Sequence, residues 1–402
     1  MPSLRTVSLE WRLTSPLAYK LHSFLESRPA SFLLGMRLAA FDTVAFGAAM
    51  AGLAVGVLVM FVEIGFLFAI LQAQARIATL VRGDLVIMSA ARTSLHDWQR
   101  FDRVRLAQAL GYKRVEQAIP IYESGMLLMN PPARSVHRVI AFAFPADAMP
   151  LDIGNPRRVE KALQRPKAIL FDRLSRPLFG PISAGRKIEL DGRAYDVAGL
   201  VDFGPDMIMD GAVFMSEGTW LSSDPDARPI LGVIRLKPGT NITVAEHRLR
   251  ALLPGDVTVM TPRDAYDREI DFTLHVAPIG FIFGLGAAAG LVIGAIICYQ
   301  TLFNQIIDCT KEYATLRAMG FPNSFFRRVM IEQGILLALT SLVVGAIGAM
   351  AAYWLLGDVT GMRITLGIGI LLVVGIPTLG ASAFAADRAC RHILKLEPTE
   401  LY

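Results

Sequence analysis

Four long stretches without a charged residue constrain the fold more than any other feature of the sequence. They lie at residues 43–62, 272–307, 333–357 and 364–386, and the first stays largely apolar past Glu63 to about residue 71. Each is long enough for a helix that crosses about 30 Å of hydrocarbon, which takes about 20 apolar residues. The sequence therefore predicts one membrane span, a long segment without spans, and three further spans close together.

The composition agrees with a membrane protein that has a large water-facing part. Apolar residues make up 53% of the 402 residues, and the mean hydropathy is +0.45. A soluble domain does not bury that much apolar surface. The 40 basic and 35 acidic residues nevertheless need water around them. These values exclude a soluble enzyme, a disordered chain and a fibrous repeat protein.

The predicted fold class is a membrane protein with four transmembrane α-helices, arranged 1+3, and a large α+β extracytoplasmic domain between the first and second spans. The predicted segments are a cytoplasmic N-terminal segment (1–42), span 1 (43–71), a periplasmic domain (72–272) with an inserted subdomain (about 150–229), span 2 (273–303), a cytoplasmic loop (304–328), span 3 (329–357), span 4 (363–386) and a cytoplasmic tail (387–402).

The orientation follows from lysine and arginine in the short flanking segments, which stay preferentially in the cytoplasm. Residues 1–42, 304–328 and 387–402 carry twelve such side chains, whereas the turn at 358–363 carries only Arg363. Both termini are therefore predicted inside and the large domain outside. Charges in the outer domain are nearly balanced, so the net charge of +5 does not imply a nucleic-acid partner.

Hydrophobic periodicity predicts an α+β outer domain. The predicted strands are 84–89, 118–129, 138–144, 230–236 and 257–260, with helices at 104–110 and 244–253. Two such β-α-β pieces on either side of the insertion indicate a split ferredoxin-like unit. Within the insertion, strands at 186–190 and 195–201 flank a hairpin signal at Asp191 and Gly192.

The outer domain has no recognisable catalytic motif. His96, His137, His247 and His275 are isolated and lack metal-ligand spacing, and Ser216 lacks the first glycine of a nucleophile elbow. A cation site is conceivable at three evenly spaced acidic residues, but the Gly-Pro break between them favours a solvated loop. These residues are Asp202, Asp206 and Asp210.

The loop between spans 2 and 3 contains a short amphipathic segment, TKEYATLRAMGFP, at residues 310–322. Tyr313, Leu316 and Met319 fall three residues apart and form one apolar stripe, while Lys311, Glu312 and Arg317 lie off it; Thr315 lies between them. Gly320 followed by Pro322 is typical of a helix end. Periodicity alone leaves two interpretations open, a helix resting on lipid headgroups and a docking site for a cytoplasmic partner.

Two further features concern the spans. Glycines of the second span recur at intervals of four, which predicts close helix packing within the chain or between two copies. These glycines are Gly280, Gly284, Gly286, Gly290 and Gly294. Glu63 and Glu332 are ionisable groups in or near spans and are candidate functional residues, although Glu332 lies one turn from Arg328 and an ion pair explains it equally well.

No phosphate-binding G-x-x-x-x-G-K-[ST] loop occurs, so nucleotide hydrolysis, if it drives this protein, takes place on another subunit. The layout and the segment KEYATLRAMG resemble the FtsX/MacB-like permeases of ABC transporters, whose E-x-x-x-L-R-A-(L/M)-G segment is the coupling helix. The tail LEPTEL resembles the family's terminal signature and departs from it at Leu401. The segments FDRLSRPLFGP (171–181), DLVI (84–87) and IGFIFGLG (279–286) most closely resemble DevC-type permeases.

The resemblance implies a non-catalytic permease subunit in the bacterial inner membrane, with no cofactor on this chain and with ATP and Mg²⁺ on a partner ABC ATPase. It also implies a second permease copy, a periplasmic membrane-fusion adaptor, an outer-membrane channel, and export of an amphiphilic or lipid-like cargo. The adaptor is predicted to bind the insertion at about 150–229. The cargo itself stays open. Two alternatives remain: an FtsX-like signalling module that controls an external partner such as a cell-wall hydrolase, and a membrane-embedded enzyme.

Overall fold

The computed structural model describes residues 43–130, 136–204, 209–308, 315, 319–360 and 364–394. The helices are α1 (Thr43–Gln74), α2 (Arg76–Leu80), α3 (Val104–Leu110), α4 (Pro156–Leu163), α5 (Glu217–Leu221), α6 (Ile242–Leu252), α7 (Pro262–Asp271), α8 (Ile279–Asp308), α9 (Asn323–Thr360) and α10 (Ile368–Leu394). The strands are β1 (Leu85–Ser89), β2 (Val115–Met129), β3 (Val136–Phe144), β4 (Ala168–Asp172), β5 (Lys187–Leu190), β6 (Arg193–Val201), β7 (Gly211–Ser216), β8 (Leu231–Leu236) and β9 (Val257–Met260).

Four of the described helices, α1, α8, α9 and α10, are long and apolar enough to span a membrane. The α+β domain lies between the first and second of them, in agreement with the predicted fold class. The helices extend beyond the predicted spans because their end turns carry polar residues that a hydropathy pattern does not include. At 32 residues and about 1.5 Å per residue, α1 is longer than the hydrocarbon layer is thick.

The start of the second span differs most from its prediction. Residues Phe272–Val276 form a π-helical turn, and α8 begins only at Ile279, after Pro278. Ala277 between them is extended, and Pro278 is tolerated next to the first turn of a helix but not in its interior, so the helix is interrupted here. The predicted boundary at 273 therefore falls in a connecting turn and not in the membrane helix.

The membrane helices pack around small side chains. One buried cluster draws residues from α1, α8, α9 and α10, and alanines supply about half of it. Its members are Ala49, Leu53, Cys298, Leu302, Leu337, Ala338, Ala385, Ala386 and Ala389. Lipid tails are as apolar as leucine, so close backbone approach through small residues is what favours helix association.

The outer domain contains the ferredoxin-like unit that the sequence predicts. Strands β2, β8, β1 and β9 pair antiparallel in that spatial order, with β1 between β8 and β9. Helices α3 and α6 cover one face of this sheet through a buried cluster that includes Leu106 and Leu249. The opposite face belongs to a second cluster that includes Val86 and Ile77. Both faces are covered, which explains why β1 is buried at every position and shows no alternation.

A second sheet closes on itself. The pairings run β2–β3, β3–β7, β7–β4, β4–β6, β6–β5 and β5–β2, which returns to the starting strand. Alternate residues of all six strands form one buried cluster, as expected for the inward face of a small barrel.

The barrel extends beyond the predicted insertion at about 150–229. Strand β2 is shared by both sheets, because residues 115–121 pair with β8 and residues 122–129 pair with β3. Strand β3 also belongs to the barrel. The boundary between the two subdomains therefore lies inside β2, near residue 121. A 15-residue strand gives no break in hydropathy at which a sequence pattern could place that boundary.

Candidate coupling loop and junction sites

The predicted docking residues of the cytoplasmic loop lie largely outside the described residues. Lys311, Glu312, Tyr313, Leu316 and Arg317 belong to this group, so their arrangement stays a sequence prediction.

The other three members of the predicted docking set are described. Thr315 is helical and exposed, and the amide of Met319 donates a hydrogen bond to its carbonyl at 3.1 Å. The side chain of Met319 is 63% exposed. Gly320 adopts φ +93°, a left-handed conformation that glycine accepts at no steric cost. The exposed methionine therefore directly precedes a glycine in the left-handed conformation.

An aromatic cluster anchors the chain directly after this loop. Phe325 and Phe326 are buried with Ile306 of α8 and Cys390 of α10. The ring of Phe321 lies 5.0 Å from that of Phe325, measured between centroids. The cluster therefore joins the ends of three membrane helices, α8, α9 and α10.

The two candidate ionisable residues differ in their surroundings. Glu332 pairs with Arg328 at 3.3 Å, the ion pair that the sequence offered as one of its two explanations. Glu63 lies on α1 opposite Gly286 of α8; a Cβ placed on that glycine would come within 2.6 Å of the Glu63 Oε1 atom. Gly286 therefore leaves the space that the Glu63 carboxylate occupies.

The glycines of α8 do not share one role. A Cβ on Gly290 would lie 2.8 Å from the carbonyl oxygen of Gly56, and one on Gly294 would lie 2.8 Å from Leu53. In contrast, a Cβ on Gly284 would meet none of the described atoms within 4 Å outside the backbone of its own helix. A Cβ on Gly280 would meet the backbone of Leu274 in the π-helical turn before α8.

The partner glycine Gly56 on α1 was not singled out by the sequence analysis. A Cβ there would lie 2.8 Å from the carbonyl oxygen of Gly290. The two backbones therefore meet directly at this pair. The spacing of Gly52 and Gly56 by four is the signal that could have identified this surface.

The first junction joins the outer end of α1 to the outer domain. The guanidinium of Arg76, at the start of α2, donates to the carbonyl oxygen of Phe203 at 2.7 Å and lies 5.6 Å from the centre of that ring. Two residues before Arg76, the carbonyl oxygen of Gln74 lies 3.0 Å from Nε2 of His96. Cation–π contact and hydrogen bonding together hold the exit of the first span against the β6–β7 connection.

The second junction joins α7, which leads into the second span, to the loop after β1. Glu269 is 1% exposed, and its two carboxylate oxygens accept hydrogen bonds from the Ser94 hydroxyl at 2.9 Å and the Leu95 amide at 2.5 Å. Hydrogen bonds to a charged acceptor are stronger than neutral ones. This buried carboxylate therefore ties the approach to α8 to the ferredoxin-like unit.

A buried arginine completes the second junction. Arg92 donates to the carbonyl oxygens of Ser94, Leu95 and Ile230, and Arg268 donates to the carbonyl of Arg92 at 2.6 Å. Burial lowers the pKa of Arg92, and nearby carboxylates, including Glu269, oppose that effect.

The segment FDRLSRPLFGP is a structural hub of the barrel. Asp172, at the end of β4, is buried and accepts hydrogen bonds from the amides of Leu174, Phe203 and Gly204 and from the Ser175 hydroxyl. Burial raises the pKa of Asp172, and these four donors oppose that rise. Because Phe203 also contacts the first junction, the hub and that junction form one connected network.

Two members of the acidic group considered as a cation site are instead paired with arginines of this segment. Arg173 forms a two-pronged contact with Asp202, at 2.6 and 2.9 Å, and Arg176 contacts Asp210 at 2.8 Å. Asp206 lies outside the described residues. Among the described residues, no group of three metal-ligating side chains occurs. The two described carboxylates therefore hold the barrel connections together.

The other residues considered for catalysis have structural surroundings. His137 packs edge-on against the ring of Phe179, and His275 lies 2.9 Å from Asp271 of the preceding turn. Ser216 is the N-cap of α5, where its hydroxyl accepts the amide of Thr219.

Two family models match the chain. The MacB-like periplasmic core domain matches residues 46–252, and the FtsX-like permease C-terminal domain matches residues 273–398. The first alone covers more than half of the chain. The comparison with curated proteins gives no significant match.

Three solved structures are similar to the outer part of the chain. The periplasmic region of MacB from Actinobacillus actinomycetemcomitans is 14% identical over 47% of this chain and 92% of its own length, with a TM-score of 0.35. The extracellular domain of the noncanonic ABC-type transporter YknZ from Gram-positive bacteria is 12% identical over 44% of this chain and 99% of its own length, with a TM-score of 0.33. A domain of a putative permease protein from Porphyromonas gingivalis is 14% identical over 44% of this chain and 86% of its own length, with a TM-score of 0.30.

The family models carry the assignment, since structural similarity at these scores adds nothing to it. Their order along the chain, periplasmic core domain and then permease domain, is the order in which the structure places the α+β domain and the last three spans. The chain belongs to the MacB/FtsX-like family of ABC transporter permeases and is a multi-pass inner-membrane protein.

Proposed function

We propose that this chain is the non-catalytic permease subunit of a DevC/MacB-like export system. A separate ABC ATPase, which holds the ATP and Mg²⁺, binds the cytoplasmic loop at 304–328, and a second permease copy stands beside the first. A periplasmic membrane-fusion adaptor and an outer-membrane channel carry the cargo onward. Both termini lie in the cytoplasm, in accordance with the distribution of lysine and arginine.

The observation that supports the proposal is the set of contacts at the two ends of the outer domain, next to the spans. Arg76 holds the segment after the first span, and Glu269 holds the segment before the second span. With hinged, solvated linkers the outer domain would move independently of the spans. Buried and charge-assisted contacts suit the transmission of motion, because breaking them costs several kcal/mol.

The proposed transmission has three steps. ATP-driven closure of the partner ATPase displaces the loop at Met319 and Gly320. The aromatic cluster around Phe325 passes this displacement to the membrane helices. The outer ends of α1 and α8, where Phe66 and Phe283 stack at 6.5 Å between centroids, then move the outer domain through its two junctions.

The first test is coupled ATP hydrolysis by the complex of the tagged chain with its co-purifying ATPase. Met319→Asp and Leu316→Asp place a charge on the apolar stripe of the loop and are expected to reduce permease-stimulated hydrolysis at least tenfold. Val244→Asp is the matched control, because it replaces an exposed apolar side chain by aspartate on a helix of the outer domain. Unchanged stimulation in both loop variants would contradict the proposed coupling role.

A deletion strain distinguishes export from signalling. Loss of an exported amphiphile with normal cell separation supports the proposal. A cell-separation defect without any loss of exported material would instead support the FtsX-like signalling function.

A further inference from the structure

A cavity of about 460 Å³ opens on the outer domain between α4 and the strands β4 and β6. This volume lies within the range of 300–1,000 Å³ that is usual for small-molecule sites. A protein partner, by comparison, needs a surface of about 800 Å² on each side of a stable interface. The size of the cavity therefore favours a small ligand over a docked protein segment.

The rim of the cavity is strongly basic. Arg158, Lys161 and Arg165 line it and are spaced by three and four residues, so they share one face of α4 and the turn after it. None of the three forms an ion pair with any carboxylate in the described part of the chain. Three neighbouring cations without a carboxylate partner favour an anionic ligand.

Acidic residues near the cavity do not neutralise this rim. Asp152 and Asp202 border the adjoining depression but pair with Arg82 and Arg173, each at 2.6 Å. Among the described residues that line the cavity itself, none is acidic.

The floor of the cavity is apolar. Leu170 and Val201 are buried there, and Leu200 is 42% exposed beside them. Gly199 lies where the pairing of β4 and β6 shifts register, and a Cβ on it would lie 3.1 Å from the Leu170 side chain. A larger residue at Gly199 would therefore press against the floor.

We propose that this cavity binds an amphiphile with a single anionic headgroup, a carboxylate or a phosphate, whose head contacts the three cations and whose chain lies on the apolar floor. The site gives the outer domain a contact for cargo, and that role rests on the proposed export function. Binding itself requires neither the ATPase nor the adaptor.

The test uses the full chain in nanodiscs of zwitterionic phosphatidylcholine, without ATPase, and octyl phosphate as the probe. Calorimetry, corrected with empty nanodiscs, is expected to show saturable binding of one octyl phosphate per chain. Inorganic phosphate and octanol are each expected to bind at least tenfold more weakly, because one lacks the chain and the other lacks the charge.

Two variants address the rim and the floor separately. The triple variant Arg158→Glu, Lys161→Glu, Arg165→Glu reverses the rim charge, and Leu200→Asp places a carboxylate on the floor while keeping all three cations. Each is expected to weaken octyl phosphate binding at least tenfold. The control Lys113→Glu, Arg114→Glu, Arg248→Glu makes the same change of charge at exposed positions of the ferredoxin-like unit and is expected to retain affinity.

Three results would overturn the proposal. They are no binding above empty nanodiscs, equal affinity for inorganic and octyl phosphate, and unchanged affinity in both cavity variants. Octyl phosphate binding is measured without the ATPase, so its failure contradicts the cavity proposal alone. Unchanged coupled hydrolysis in Met319→Asp and Leu316→Asp contradicts the proposed function alone.

Discussion

The buried carboxylate of Glu269 provides the sharpest prediction about the second junction. Its replacement by alanine removes two hydrogen bonds to a charged acceptor, each of which contributes about 1.5–3 kcal/mol. The change also leaves the Leu95 amide buried without its acceptor. We expect Glu269→Ala to lower the free energy of local opening at this junction by about 3–5 kcal/mol. Glu269→Gln keeps one acceptor oxygen and is expected to cost about 1–3 kcal/mol.

Hydrogen–deuterium exchange of the full chain measures this opening directly, in peptides that cover residues 92–97. A loss of about 3 kcal/mol corresponds to exchange faster by a factor on the order of 100, because about 1.4 kcal/mol is tenfold. The matched control is Glu246→Ala. Glu246 is 9% exposed and pairs with Arg250 on α6, away from the junction. Unchanged exchange at 92–97 in Glu269→Ala, with the fold intact, would refute the tether.

Two further predictions concern the barrel hub and the helix interface. Asp172→Asn leaves at least one of three backbone amides facing an amide donor and is expected to lower unfolding free energy by about 1–3 kcal/mol in denaturant titrations. Burial raises the pKa of Asp172 in the folded state, so protonation of this carboxyl favours folding. This stabilisation is fully present below the ordinary value of 3.8 and is lost as pH rises through the raised pKa. Asp172→Asn should remove this pH dependence of the unfolding free energy, and an unchanged pH dependence would contradict the role given to Asp172. Gly290→Leu overlaps the Gly56 carbonyl and is expected to destabilise the membrane helices by about 1–3 kcal/mol or more in thermal unfolding, whereas Gly284→Leu, with no atom within 4 Å, should be tolerated; equal effects would contradict the proposed contact.

The long-range architecture was predictable because it depends on strong, simple patterns. Span number and placement follow from uncharged stretches, and the ferredoxin-like unit follows from the succession of strand and helix patterns on either side of an insertion. The turn at Asp191 and Gly192 connects β5 and β6 as a hairpin, as its sequence predicts. These features need only local composition and spacing.

The barrel and its hub could not be predicted in the same way. Strands β4 and β7 are short and fully or largely buried, so they have no alternation that separates them from a buried helix. The role of Asp172 depends on amides about 30 residues away, in the β6–β7 connection. Helix α4, by contrast, has a recognisable start signal in the sequence at Asn155 and Pro156, the N-cap and the first helical residue.

The junction residues are likewise defined by distant contacts. Glu269 bonds to residues about 175 positions earlier, and Arg76 bonds to Phe203. As isolated charges in the sequence they resemble ordinary surface residues. Their burial and partners become visible only when the domain closes around them.

The most direct test of the central claim is exchange at both junctions in the complex with the partner ATPase, compared between nucleotide-free and ATP-trapped states. The account predicts that trapping ATP changes deuterium uptake around residues 92–97 and 203, and that Met319→Asp abolishes the change while the ATPase still binds nucleotide. Identical uptake in the two states, in a complex that hydrolyses ATP, would show that the outer domain does not receive the ATPase motion and would contradict the account.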